Sequence, residues 1–345
     1  NRKAAKTRPK RPARRRERKP GLILPMVGEL DQPRSSELRY TPYLLIRSSV
    51  SDLGARPLPQ GAVFWESPDV WVAGPDGTNQ PVPGVPNTVY ARVNNLGYEQ
   101  ANGVVVTFWW SDPSLAITAA QPIGTAFVNI PGRQSRVVQC PEPWVPVVVN
   151  GGHECLLAEA FLPAYDPVTS PLDPVLDRHV GQRNEQLVVV KAGEHFTITL
   201  VCANVAPLAQ RVTIELYAHH SEQVPSVFAS LPGGLPEHLL APAAGLPLTV
   251  RLDHSADRFV ASSDFFARRM LHLGEGSAAG VSGVQETPPW VSRSLELEAW
   301  EAGSAQISGT IAAGTPAGQT FLFRAVQRAG PVVTGGYTIA LLLED

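Results

Sequence analysis

His153 and Cys155 stand two positions apart, and in an extended strand such residues share one face. That pair could supply two of the four ligands of a zinc site. No second pair of suitable spacing follows. The other histidine cluster, His219-His220, is adjacent in sequence, so its rings would point to opposite sides of a strand. A packed cysteine beside a turn-capping histidine fits the same residues. Asp166, Asp173 and Asp177, with His179, crowd a proline-rich stretch at 164–179. Loop carboxylates of this kind are the donors that Ca²⁺ takes, so these three aspartates form a candidate metal site. Asp-Pro pairs are also ordinary turn starters. Seven tryptophans, Trp65, Trp71, Trp109, Trp110, Trp144, Trp290 and Trp300, offer flat apolar surfaces of the kind that stack on sugars. Core packing accounts for most of them. The adjacent pair Trp109-Trp110 must divide between two faces of its strand, which marks one of the two as a candidate exposed aromatic contact. No serine elbow, His-Glu-x-x-His, phosphate-cradling Gly-Lys-Ser/Thr or dinucleotide fingerprint occurs. Gly274-Glu-Gly and Gly335-Gly read as turns. The expectation is a protein that is not an enzyme and uses no cofactor.

The strongest chemical signal is charge. Within the first 20 residues stand Arg2, Lys3, Lys6, Arg8, Lys10, Arg11, Arg14, Arg15, Arg16, Arg18 and Lys19, with Glu17 as the one acid. The net charge of −2 therefore divides into +10 on this tail and −12 on the remainder. Such a tail seeks polyanions or acidic protein surfaces. On nucleic acid it would release counterions and bind in a salt-sensitive, sequence-blind way. It lacks interleaved aromatics, so base stacking is not expected. A solvated arm that holds copies of the chain, or other proteins, in an assembly accounts for the same residues.

These groups need elements to position them. The 345 residues contain 33 prolines and 29 glycines, a density that suits short strands and turns better than helices. Five prolines between 9 and 33 and mutual repulsion keep residues 1–36 from folding alone, although the apolar patch 22–27 could add a strand or anchor to a neighbour. Strand signals then follow at 43–47, 62–65, 70–72, 87–93, 104–110, 126–130, 135–140, 155–161 and 186–190. In the segment 87–93, Val89, Ala91 and Val93 alternate with Thr88, Tyr90 and Arg92. A second set covers 196–200, 212–216, 248–252, 294–300, 320–326 and 337–343. Phe266, Met270 and Leu273 have helical spacing behind Ser262 or Ser263, which predicts one short helix in an irregular insertion near 255–290.

Residues 93–106 and 201–214 align without gaps as strand, polar break, strand. This echo favours two copies of one plan over a single large barrel. The expected fold is all-β: two tandem immunoglobulin-like antiparallel β-sandwiches, at 37–190 and 191–345, behind a disordered or extended basic arm at 1–36. Cys140, Cys155 and Cys202 are too few for a disulfide framework. One bridge, Cys140 to Cys155, and three buried thiols are both open. No apolar run is long enough to cross a membrane as a helix. No secretory leader is visible, so the expectation is a chain that stays inside or particle-associated, or leaves by another route.

Residues 60–190 resemble the bacterial CARDB-type immunoglobulin-like module. The resemblance is carried by Trp71-Val, by Asn87-Thr-Val-Tyr-Ala-Arg-Val-Asn-Asn-Leu-Gly and by Gly103-Val-Val-Val-Thr-Phe-Trp-Trp. It continues through Ile130-Pro-Gly, Trp144-Val-Pro, His153-Glu-Cys-Leu-Leu-Ala-Glu and Gln182-Arg-Asn. The second half is similar only in general style. The resemblance implies an adhesion-like sandwich with a binding or spacer role and no catalytic residues. The function expected is that of a structural or binding protein, a subunit or spacer in a larger assembly whose arm makes contacts. A coat-type protein neutralising nucleic acid and a carbohydrate-binding accessory module are the alternatives.

Overall fold

In the computed structural model, residues 41–59, 61–75, 81–111, 115–116, 120–146, 155–218, 240–241, 248–258 and 289–344 are described. The eleven basic residues of the tail, His153, His219, His220 and the expected helix at 263–273 all lie outside them.

The described residues form strands and no helix. In chain order the strands are β1 (Leu44–Leu45), β2 (Val70–Ala73), β3 (Thr88–Asn95), β4 (Ala101–Ser111), β5 (Ala120–Ile130), β6 (Gln134–Gln139), β7 (Cys155–Phe161), β8 (Val180–Arg183) and β9 (Glu185–Lys191). There follow β10 (His195–Ala203), β11 (Gln210–Ala218), β12 (Leu240–Ala241), β13 (Leu248–Arg258), β14 (Val291–Leu297), β15 (Glu301–Thr310), β16 (Thr320–Ala329) and β17 (Val332–Glu344). In the first sandwich, β3 is flanked by β6 on one side and by β1 and β2 on the other. This sheet faces a second one ordered β5-β4-β7-β8. Val89, Ala91 and Val93 meet Val104, Val106, Phe108, Leu156, Ala158 and Ala160 between them. The second sandwich stacks β10-β15-β13 on β14-β11-β16-β17-β9, with Ile198, Leu200 and Ile307 against Ile214, Leu216, Phe323, Ile339 and Leu341. The chain is therefore two immunoglobulin-like sandwiches in tandem.

Several expectations change. The strand at 186–190 belongs to the second sandwich, because β9 runs parallel to β17 with Leu341 opposite Val188. The division thus falls near Asn184. Residues 62–65 form no strand; they lie in an irregular segment between β1 and β2. β15 is the central strand of its sheet, yet its Ala, Gly and Ser content gives little strand signal. Gly335 and Gly336 sit within β17, not in a turn.

The internal echo has a structural basis. At the end of β3, buried Asn95 donates from Nδ2 to the Glu99 carbonyl at 2.8 Å and accepts from the Gly97 amide at 3.0 Å. After β10, buried Asn204 donates to the Leu208 carbonyl at 2.8 Å and accepts from the Ala206 amide at 2.9 Å. Both asparagines close the same corner with the same offsets. The gapless alignment pairs Val104 with Val212 correctly but misses Asn95 against Asn204 by one residue. A β-bulge between Ala101 and Val104, with Gly103 at φ 68°, supplies that extra residue.

Candidate functional site

The aspartates singled out by sequence are brought together by the connection that carries them. The connection after β7 folds over the outer face of that strand. Asp177 Oδ2 accepts from the Thr169 amide at 2.6 Å, the Thr169 hydroxyl at 2.9 Å and the Ser170 amide at 2.9 Å. Its Oδ1 lies 2.6 Å from His179 Nδ1. Asp166 Oδ2 accepts from the Leu44 amide at 2.6 Å, and its Oδ1 receives Arg178 and lies 3.2 Å from His179 Nε2. The Arg178 guanidinium also stacks on Tyr43, 4.0 Å from the ring centre. Asp173 Oδ1 accepts from the amides of Val175 and Leu176. These carboxylates accept from backbone N–H groups and hold a turn. Among the described residues no group of three or more His, Cys, Asp or Glu is placed to hold a metal.

Electrostatics follow from this geometry. Burial works to raise the Asp177 pKa, but His179 and the surrounding amides overcome it and hold the carboxyl well below its usual range. Burial works to lower the His179 pKa, and hydrogen bonds to Asp166 and Asp177 raise it above its ordinary value. Glu159, which accepts from the Leu172 amide at 2.6 Å, is pushed up by burial.

The tryptophan pair divides between two faces as expected, and both side chains are half-buried. Trp110 packs against the first core. Trp109 packs on the cluster of Cys155, Leu157 and Val180, as Leu172 does, and donates from Nε1 to the Thr107 hydroxyl at 3.1 Å. The connection after β7 thus shares, through Leu172, the outer face on which Trp109 lies. The cysteines are free and buried. Cys140 belongs to the first core, whereas Cys155 lies under the connection, on the other side of its sheet. Burial pushes the thiols of Cys155 and Cys202 up to about 12, so neither is a ready nucleophile.

The densest polar and apolar contacts that sequence reasoning missed lie between the sandwiches. The segment between β1 and β2 leaves the first sandwich after Ile46. Its own fold is held by a buried bidentate pair, Arg56 to Asp52 at 3.0 and 3.1 Å. It then lays Phe64 and Trp65 on Tyr217, Val326 and Val333 of the second sandwich. Trp65 Nε1 donates to Thr338 Oγ1 at 3.1 Å. A side chain at Gly336 would meet the Trp65 ring at 2.3 Å, so the bare backbone there is what admits the indole. On the opposite face of β17, Leu115 from the β4–β5 connection enters the second core. It donates its amide to the Val201 carbonyl at 2.8 Å. A side chain at Gly335 would lie 1.5 Å from the Leu115 carbonyl oxygen. Two adjacent glycines on opposite faces of one strand thus each receive a piece of the first sandwich.

Charges close the junction. Arg324 reaches Glu66 through two bonds of 2.6 and 2.7 Å, both side chains being nearly buried, and the Thr338 hydroxyl donates to the same carboxylate. Beside them Arg183 pairs with Glu185 at 3.1 Å. Burial pushes Glu185 up to about 7; Arg183 opposes the rise and the Glu66 charge adds to it. Gly335-Gly336 inside an apolar strand was the one sequence signal for this junction.

No family model matches the chain, and no curated protein matches it. Among solved structures it is similar to a family 123 glycoside hydrolase from Clostridium perfringens, at 12% identity over 47% of this chain and 23% of that one, with a TM-score of 0.25. It is similar to a collagen adhesin from S. aureus, at 10% identity over 80% of this chain and 92% of that one, with a TM-score of 0.23. It is also similar to the CupB6 tip adhesin from Pseudomonas aeruginosa, at 8% identity over 80% and 99%, with a TM-score of 0.21. The chain spans less than a quarter of the length of the glycoside hydrolase.

Proposed function

We propose that this chain is a non-catalytic structural subunit or spacer, whose two sandwiches act as one rigid body and whose basic arm makes contacts within a larger assembly. The observation that carries this reading is the junction, where Trp65, Leu115 and the Glu66–Arg324 pair bind the second sandwich on both faces of β17. Tandem domains joined only by a linker move relative to one another by default. A buried apolar and ionic junction removes that freedom, which suits a part that must hold a fixed distance or angle. The buried acids and histidine of the 162–179 connection, the natural place for chemistry in this sequence, are already engaged with backbone amides and with each other.

Light scattering tests the reading on three forms: the full chain, the chain lacking residues 1–20, and the full chain carrying Gly336→Val. The full chain is expected to form a defined oligomer, lost without the arm and impaired when Gly336→Val drives Trp65 off β17. A monomer in all three forms sinks the assembly reading. Retention on a phosphate-bearing column with steep salt elution, lost with residues 1–20, would instead favour a nucleic-acid partner.

A further inference from the structure

Strand β9 follows β8 with Asn184 alone between them, so a load on the first sandwich enters the second at the start of β9. Its partner is β17. The two run parallel through seven register pairs, from Glu185 with Thr338 to Lys191 with Glu344. The direction of pairing decides how such a ladder answers tension. Pulled at the start of one strand and at the end of the other, two parallel strands slide along their axes. Their evenly spaced bonds are then strained together. Two strands pulled from the same end open one bond at a time. β17 is held on its other side by ten antiparallel pairs with β16. Val190 is buried in the second core and Val188 packs against it, which anchors β9 as well.

We infer that β9, β17 and Asn184 form a shear clamp through which the second sandwich bears tension along the chain. The inference rests on the proposed structural role and deepens it: the spacer is one that resists stretching. Asn184 ties the start of the ladder to the junction. Its amide donates to the Trp65 carbonyl at 2.8 Å, and its carbonyl accepts from the Thr338 amide at 3.1 Å. Its side-chain nitrogen donates to the Gly336 carbonyl at 2.8 Å. Sliding β9 backwards past β17 therefore also strains the bonds from Trp65 to Thr338 and from Arg324 to Glu66. The first sandwich holds its outermost strands by less, with two register pairs between β1 and β3 and four between β7 and β8. The bond from the Thr338 amide to Asn184 also sets the phase of the ladder. The amides of Gln186, Val188 and Val190 turn to β17, and that of Val189 turns away.

Single-molecule stretching of the full chain tests this in two geometries. Held at its two ends, the chain loads the ladder in shear. Held at its C-terminal end and at an exposed Lys191→Cys, it peels β17 from β9 from one end; the three natural cysteines are buried. The second sandwich is expected to yield at a force at least about twofold higher in shear than in peeling. At constant force in shear, Val188→Pro, which removes a ladder bond, should speed its unfolding about tenfold, whereas Val189→Pro should leave the rate within about twofold. Equal forces in the two geometries overturn the inference, and so does a folded Val188→Pro chain that resists like the natural one. If Val188→Pro does not fold, the two geometries decide. Light scattering on the same proteins separates this from the assembly reading. A monomer that resists shear sinks the assembly alone, and an oligomer whose second sandwich yields equally in both geometries sinks the clamp alone.

Discussion

Two buried polar regions of this molecule use the same residue types in opposite ways. In the 162–179 connection, Asp173 and Asp177 meet amides and a histidine within about a dozen residues, so their network is local, although Asp166 also reaches the Leu44 amide. At the junction, Glu66 meets Arg324 across 258 positions and Thr338 across 272. The local network shapes a turn on one sandwich. The distant one joins two domains and leaves no comparable mark on the sequence. A cluster of acids in sequence is thus a poor guide to where charge does structural work; the weightier pair comprises a lone glutamate and a lone arginine.

Breaking the junction should cost most. Arg324→Ala leaves Glu66 buried without its partner and is expected to destabilise by about 3–5 kcal/mol in urea unfolding. The double variant Glu66→Gln with Arg324→Met should recover much of that loss. If Arg324→Ala unfolds like the natural chain, the junction is not the stronger region. Breaking the connection should cost less. Asp177→Ala strips the acceptor from several amides, which water at this outer surface partly replaces, so about 1–3 kcal/mol is expected. Faster hydrogen exchange should be confined to the connection and the strand beneath it.

The sharpest contrast is with pH. Glu185 is raised from about 4.5 to about 7 in the folded chain. Its contribution is complete below the unfolded value and is lost as pH climbs through the folded one, with a slope of at most about 1.4 kcal/mol per pH unit. Glu185→Gln should flatten that decline. The connection behaves differently. Asp177 is lowered, so its contribution is present above the ordinary carboxylate range and lost as pH falls through the folded value. His179 is raised, so its contribution is lost only as pH rises through its folded value. Asp177→Asn should therefore cost stability at neutral pH and remove the natural chain's decline on the acid side, so the two converge as pH falls. A Glu185→Gln profile parallel to that of the natural chain between these limits would remove the contrast.

Much of the fold was legible. Alternation at Val89, Ala91 and Val93, and at Val212, Ile214 and Leu216, named core faces that the two cores use. The echo between halves pointed to a repeated corner, off by one residue because a bulge does not announce itself in side-chain pattern. β15 was missed because a strand clamped between two others needs little intrinsic preference of its own. The candidate site was less legible. Asp166 and Asp177 were rightly seen as neighbours of His179, but residue type does not say whether a carboxylate faces a cation or an amide. That Trp109 shares its face with Leu172 of the connection was not visible in the spacing of residues.

The sequence by itself determined most of the strands, the two core faces and the division of charge between tail and body, because side-chain alternation and net charge are sums over near neighbours. Only the tertiary structure decided which glycines receive Trp65 and Leu115 and which arginine answers Glu66. Those outcomes depend on surfaces that meet only after each sandwich has closed, and no local pattern records them.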